Sequence, residues 1–433
     1  MNGFLRLASL MGPPSCLILG TACSDVWIDP FADAGGGGAG GAEPRGGAGA
    51  TAPVGGAGGT WEQGGGPEGG GGQTGSDRRP LLLVAQSGGV ALWDRADHIP
   101  GDVLPSATLA GLTSTPRGLA RRGDDLVVYT QGDTPVARIV TFTDIGKYAG
   151  AGPATEETVD TPTLLGPTYL ADFQIDTSGL MFAEHVPLLL SFNPDDTMFL
   201  QWQSTDQGSE PAWTTSQWSP RFRQFAFSED DSTVFAGSLA GVQRVRVVRD
   251  EGRVEEGGTL GDGASDVLVA RFGHDLFSVT QCHDSGGGST CLDPHLHVWR
   301  DIGDGADVTE PDLDIPLGHA RVPCDLHVGE AGIFIAMCSG LSGPTGTPPE
   351  LVWLPPPSAI DSSSNVIGAV DLSHEPRQLA VIPADPNVDD APFTVFVRCD
   401  DRLVVAKDFM GQLTVTEEMV NGISTTYDML LLP

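Results

Sequence analysis

From residue 81 to residue 433 one arrangement of apolar and polar positions recurs seven times. A short apolar run is followed by a polar turn, a second apolar run, a long polar loop, and a run that enters the next unit. The units begin LLLVAQ (81–86), LVVYTQ (126–131), LMFAEH (180–185), TVFAGS (233–238), LFSVTQC (276–282), IFIAMC (333–338) and FTVFVRC (393–399). Successive starts are 43 to 60 residues apart. Runs of five to seven apolar residues, rich in Val, Ile and Phe and bounded by Gly, Asp and Pro, read as strands. Strand-only units at this period predict a β-propeller.

Within each unit a hairpin is legible. RQFAFSEDDSTVFAGS (223–238) enters, turns through SEDDS and returns. CDLHVGEAGIFIAMC (324–338) does the same through GEAG, and SDVLVARFGHDLFSVTQC (265–282) and RQLAVIPADPNVDDAPFTVFVRC (377–399) follow. The region opens on a second strand, LLLVAQ, and ends on an unpartnered inner strand, YDMLLL (427–432). The C-terminal strand is therefore expected to complete the first blade beside residues 81–84, which removes an open edge and gives seven blades. Six or eight blades would each leave a strand without a place. The expected fold is all-β, a seven-bladed propeller closed by its last strand.

Ahead of the repeats, residues 1–23 read as an export signal. Arg6 supplies the positive charge, and a largely apolar stretch from Leu7 to Leu19 follows, interrupted by Pro13 and Pro14. Residues 24–80 are dominated by glycine, as in GGGGAGGAEPRGGAGATAPVGGAGG. Such a segment buries too little apolar surface to offset its ordering entropy, so a disordered tether is expected. Its most Gly-rich part, residues 34–80, is a flexible coil of about 46 residues and spans roughly 35–40 Å. No later run reaches the about 20 apolar residues of a membrane span.

The net charge of −34 changes the list of partners. Nucleic acid and anionic lipid attract Lys and Arg, so both are excluded as partners of the repeat region. Most of the acids stand in turns such as GDD (123–125) and PDD (194–196).

Three groups of residues could carry chemistry. Aligned at the start of each inner strand stand Arg117, Asp172, Arg223, Asp266, Asp325, Arg377 and Asp428. The expectation is a charged ring at one channel mouth, with ion pairs holding neighbouring blades in register. Its one like-charged pair, Asp266 and Asp325, is the candidate metal site, for calcium or another divalent cation; otherwise no cofactor is expected. Among the cysteines, Cys324 and Cys338 lie equidistant from the turn at Ala331 and are expected to pair. Cys282 and Cys291 bracket a Gly-rich loop and are expected to form a second bridge, leaving Cys399 over. Cys282, His283, Asp284, Cys291, His295 and His297 fit no standard zinc spacing, His327 reads as an interior histidine and is the one residue to join Asp266 and Asp325 in an enzyme reading, and no nucleophile, Walker or dinucleotide motif is present. Trp202, Trp213 and Trp218 are candidate contact aromatics.

Two resemblances add to this reading. LGTAC (19–23) resembles a bacterial lipoprotein box, with the large aliphatic residue one place early, which implies lipidation of Cys23; an ordinary secretory signal is the alternative. VALWDRADHIPGDVLPSATLAGLTSTPRGLA (90–120) and LHVWRDIGDGADVTEPDLDIPL (296–317) resemble repeats of extracytoplasmic bacterial propellers of the NHL-like group. That resemblance implies the propeller fold; the tether, the lipoprotein-box resemblance and the absence of catalytic motifs point to a monomeric outer-membrane or cell-surface lipoprotein that binds a protein or glycan of the envelope, secretion or a periplasmic location being the alternative. It contacts the membrane only through its anchor and is more a binding or scaffold module than an enzyme. It also implies the competing reading, a metal-dependent lactonase or lyase, since such enzymes use propellers of this kind.

Overall fold

The second strands of the repeat units, such as LLLVAQ, GIFIAMC and TVFVR, are apolar along most of their length because sheets cover both of their faces. The computed structural model describes residues 80–432, apart from 97–103, 132–135, 149, 151, 161–167, 176–180, 188–196, 203–213, 219–221, 229–231, 239–240, 249–252, 262–265, 281–293, 303–307, 309, 319–320, 340–347, 385–391 and 410. The signal, Cys23 and the tether expected from the sequence lie outside the described residues, as do Cys282 and Cys291.

The described residues form 28 strands, β1–β28 in chain order, in seven four-stranded antiparallel sheets. The innermost strands are β4 (Thr115–Arg122), β8 (Thr168–Ile175), β12 (Phe222–Phe227), β16 (Asp266–Phe272), β20 (Val322–Gly329), β24 (Gln378–Ile382) and β28 (Thr426–Leu432). Each packs against the next, from β4 to β8 and onward to β28, which returns to β4. The fold is a β-propeller. As expected, the last strand enters the first sheet: β28 pairs with β1 (Leu81–Gln86), Leu82 opposite Leu431 and Val84 opposite Met429. Counted as blades the propeller comes to six, not the seven read from the sequence. The hydrogen-bond ladders join the strands into seven separate four-stranded sheets.

The core lies between sheets. Alternate residues of one strand enter different clusters, because side chains point to opposite faces with a period of two. In β21 (Gly332–Cys338), Ile333, Ile335 and Met337 pack toward Leu268, Phe277 and Val298 of the preceding sheet. Phe334 and Ala336 pack toward Val395, Val397 and Val404 of the next. The apolar run IFIAM is therefore continuous rather than alternating. Tight hairpins follow β4 and β16, and Gly123 and Gly273 open them at φ +61°, a left-handed backbone that glycine adopts without steric cost.

Six of the seven inner strands carry a register shift near their start; β24 alone runs straight. A bulge of this kind inserts a residue and re-aims the side chains beside it. That local detail decides how the channel is built.

Candidate functional site: the inner-strand channel

The seven charged residues expected to form one ring do not share one register. Asp172, Asp325 and Asp428 occupy the first paired position beyond the bulge of their strands. Arg117 is the bulged residue of β4, and Arg223 lies within the bulge of β12. Asp266 stands on the other side of its bulge, opposite Thr280. Arg377 precedes β24 and holds Asp400 of its own blade through two hydrogen bonds of 2.8 and 3.0 Å. The inserted residue is what an even alignment of apolar runs leaves out. Asp172, Arg223 and Asp266 have side chains outside the described set.

Among the described residues, carboxylates and amides clasp the backbone of the neighbouring inner strand. Leu379 N–H donates to Asp325 Oδ2 at 2.6 Å, from β24 to β20. Leu119 N–H donates to Asp428 Oδ2 at 2.6 Å, from β4 to β28. Gln378 makes a two-point clasp: its Nε2 donates to the Met429 carbonyl at 3.0 Å, and Met429 N–H donates to its Oε1 at 2.7 Å. Gln174 repeats the device between β8 and β12, donating to the Phe225 carbonyl at 2.9 Å. Gln224 reaches further round the ring, and its Nε2 donates to Asp325 Oδ1 at 3.1 Å. Arg117 lies over the Tyr427 ring at 3.8 Å, joining β4 to β28 by a cation–π contact.

Burial sets the charge state of this layer. Asp325 is pushed up to about 7, because loss of hydration outweighs the Leu379 and Leu326 amides and the nearby Arg398. Asp428 is raised for the same reason. Arg398 is buried between them, and burial holds its guanidinium below its usual range. Its Nε donates to Gln378 Oε1 at 3.1 Å and its Nη1 to the Thr426 carbonyl at 3.3 Å. Sequence reasoning missed Arg398, Gln378 and Gln224. Arg398 had a signal, one cation in the otherwise apolar FTVFVRC, while the two glutamines had none.

Beside the clasp layer lies a cavity of about 510 Å³. Its walls are residues 379–383 of β24 and its end, residues 429–431 of β28, Pro80 and His327. His327 is lowered to about 4 by burial, so its ring is neutral at physiological pH. Among the described residues its ring has no hydrogen-bond partner. The channel thus has a polar layer in which Asp325, Asp428, Gln378 and Arg398 are hydrogen-bonded, and an apolar pocket whose one polar side chain is His327.

Elsewhere, Cys324 and Cys338 form the expected disulfide, with Cα atoms 5.9 Å apart. The pairing differs in detail: Cys338 stands opposite Val322, and Cys324 is the residue the bulge inserts. Cys399 is free and buried, and burial pushes its thiol up to about 12, which leaves it unreactive. His295 Nδ1 is hydrogen-bonded to Asp314, and His297 Nε2 lies 3.7 Å from the same carboxylate. No group of three or more His, Cys, Asp or Glu among the described residues is placed to hold a metal ion. The side chains of Trp202 and Trp218, in β10 (Thr197–Trp202) and β11 (Thr214–Trp218), and all of Trp213 lie outside the described set.

No family model matches the chain, and no curated protein matches it. Solved structures do. One is a "putative 6-phosphogluconolactonase" from Bacteroides uniformis, at 12% identity and a TM-score of 0.56, covering 82% of this chain and all of that one. Another is a functionally unknown protein from Desulfotomaculum acetoxidans, at 10% identity and a TM-score of 0.52, covering 81% and 98%. At these identities the likeness is one of fold.

Proposed function

We propose that this chain is a seven-bladed extracytoplasmic propeller, anchored through a lipid on Cys23, that binds a ligand rather than transforming one. The observation that carries this reading is the engagement of the channel's carboxylates. The oxygens of Asp325 and Asp428 already accept two hydrogen bonds each, from Leu379 and Gln224 and from Leu119 and Met429. Each oxygen of the two carboxylates is thus turned to a neighbouring donor, which weighs against their serving as a general base or a metal ligand. The Cys324–Cys338 bridge supports an oxidising compartment. The seven ladders, with inner strands contacting in a closed circuit, support seven blades. A protein or glycan of the cell envelope is the partner class that the acidic surface and tether fit best.

The lactonase reading draws on the Bacteroides uniformis neighbour. A phosphorylated lactone requires cationic groups for its phosphate. In the described channel the buried Arg398 is held by Gln378 and Thr426, which weighs against it. Two measurements test the proposal together. Palmitate labelling in a bacterial host should mark the wild-type chain and not Cys23→Ala. Purified protein should show no hydrolysis of 6-phosphogluconolactone above the uncatalysed rate. An unlabelled wild type would remove the anchor, and turnover would make the chain an enzyme.

A further inference from the structure

The apolar cavity lies where the chain from the tether arrives, since Pro80 forms part of its wall. Nine of its ten lining residues are apolar, and His327 is the only polar side chain among them. The bordering backbone offers little, because Leu379 N–H is held by Asp325 and both Met429 N–H and its carbonyl are held by Gln378. A volume of about 510 Å³ falls in the range of pockets that enclose a small organic ligand, roughly 300–1,000 Å³. We infer that this cavity is a binding site for a small, uncharged, mainly apolar molecule that makes one hydrogen bond, to the ring of His327.

The chemistry follows from the walls. A charged ligand would lose its hydration and find no counter-charge among the lining side chains, at a cost of several kcal/mol. A purely apolar ligand would leave the buried imidazole without a partner, as it stands among the described residues. A neutral molecule with a single hydroxyl or amine satisfies both conditions. The neutral state of His327 lets one ring nitrogen donate and the other accept. This inference rests on the binding reading and gives that reading a site and a ligand class.

N-phenyl-1-naphthylamine is a suitable probe, being neutral, largely apolar and equipped with one N–H. Titrated into the full-length protein, it should brighten and saturate at one molecule per chain. Leu431→Trp, which places an indole in the cavity, should weaken binding at least tenfold. Ile382→Trp, from the facing strand, should do the same, and the melting curve of each variant shows whether it is folded. His327→Leu keeps the volume and removes the polar atom. It should weaken N-phenyl-1-naphthylamine about three- to tenfold, the size of one neutral hydrogen bond, and leave anthracene binding unchanged. A merely structural role for His327 would weaken both probes alike. The site is overturned if the wild type fails to saturate at one per chain, or if a folded Trp variant binds as the wild type does. Either failure leaves the anchored, non-hydrolytic reading standing, because that is decided by palmitate labelling and lactone turnover.

Discussion

Removal of residues 426–433 should abolish cooperative unfolding. These residues are β28, the inner strand of the first sheet, and they join the chain's last segment to its first. Deletion strips the ladder partner from Leu81–Gln86 and exposes Leu82 and Val84, both fully buried in the intact fold. Met429 and Leu432, at 3% and 6% exposure, go with it. Each such side chain contributes about 1.5–3 kcal/mol, so four of them approach the whole stability of a typical domain, roughly 5–15 kcal/mol. The clasps to Leu119 and Gln378 are lost as well, and Arg398 loses Thr426. The truncated protein should melt without a cooperative transition or aggregate through its open edge. A synthetic peptide of residues 421–433 should restore the transition by adding the missing strand. Melting at the wild-type temperature after truncation would show that the ring is not closed by this strand.

The second large effect is on pH dependence. Asp325 is raised from 3.8 to about 7 by burial, so the folded state holds its proton more tightly than the unfolded chain does. For a carboxyl raised in this way the contribution is fully present below pH 3.8 and is lost as pH rises through about 7. The change is on the order of 4 kcal/mol, from about three pKa units at 1.36 kcal/mol each. Asp428, also raised, adds in the same direction. The wild type should therefore melt several degrees higher at pH 5 than at pH 8. Asp325→Asn should remove most of that difference. The Asn amide can donate to Gln224 Oε1, which is buried without a partner, while its oxygen keeps the Leu379 N–H. Asp325→Ala leaves Leu379 N–H and Gln224 unsatisfied and should cost about 2–3 kcal/mol at pH 5, and little at pH 8, where the wild type has itself lost the contribution of the Asp325 proton. An Asn variant with the wild-type pH profile would place the titrating group elsewhere.

The strands and their closure were legible because inter-sheet burial makes each run apolar on both faces. IFIAMC and LLLVAQ announce themselves in that way. The Cys324–Cys338 pair was legible from its place in a hairpin, although the bulge moves Cys324 out of the exact position opposite Cys338. The charged ring was not legible as it exists. A bulge adds a single residue and leaves the apolar pattern intact, so Asp266 and Asp325 look equivalent in sequence and stand on opposite sides of their bulges. The glutamine clasps were invisible for a different reason. Gln224 meets Asp325 from 101 positions away, and only ring closure brings them together. His327 read as an interior histidine, and the cavity beside it is a property of three inner strands at once.

Whether the channel carboxylates hold the blades or hold a metal is tested most directly by one measurement. Purified full-length protein is assayed for bound metal, and its melting curve is recorded before and after chelation. With Asp325 and Asp428 engaged by backbone amides, the expected result is no stoichiometric metal and an unchanged curve. One equivalent of calcium or another divalent cation, with a lower melting temperature after chelation, would contradict the clasp role and return Asp266 and Asp325 to the status of ligands.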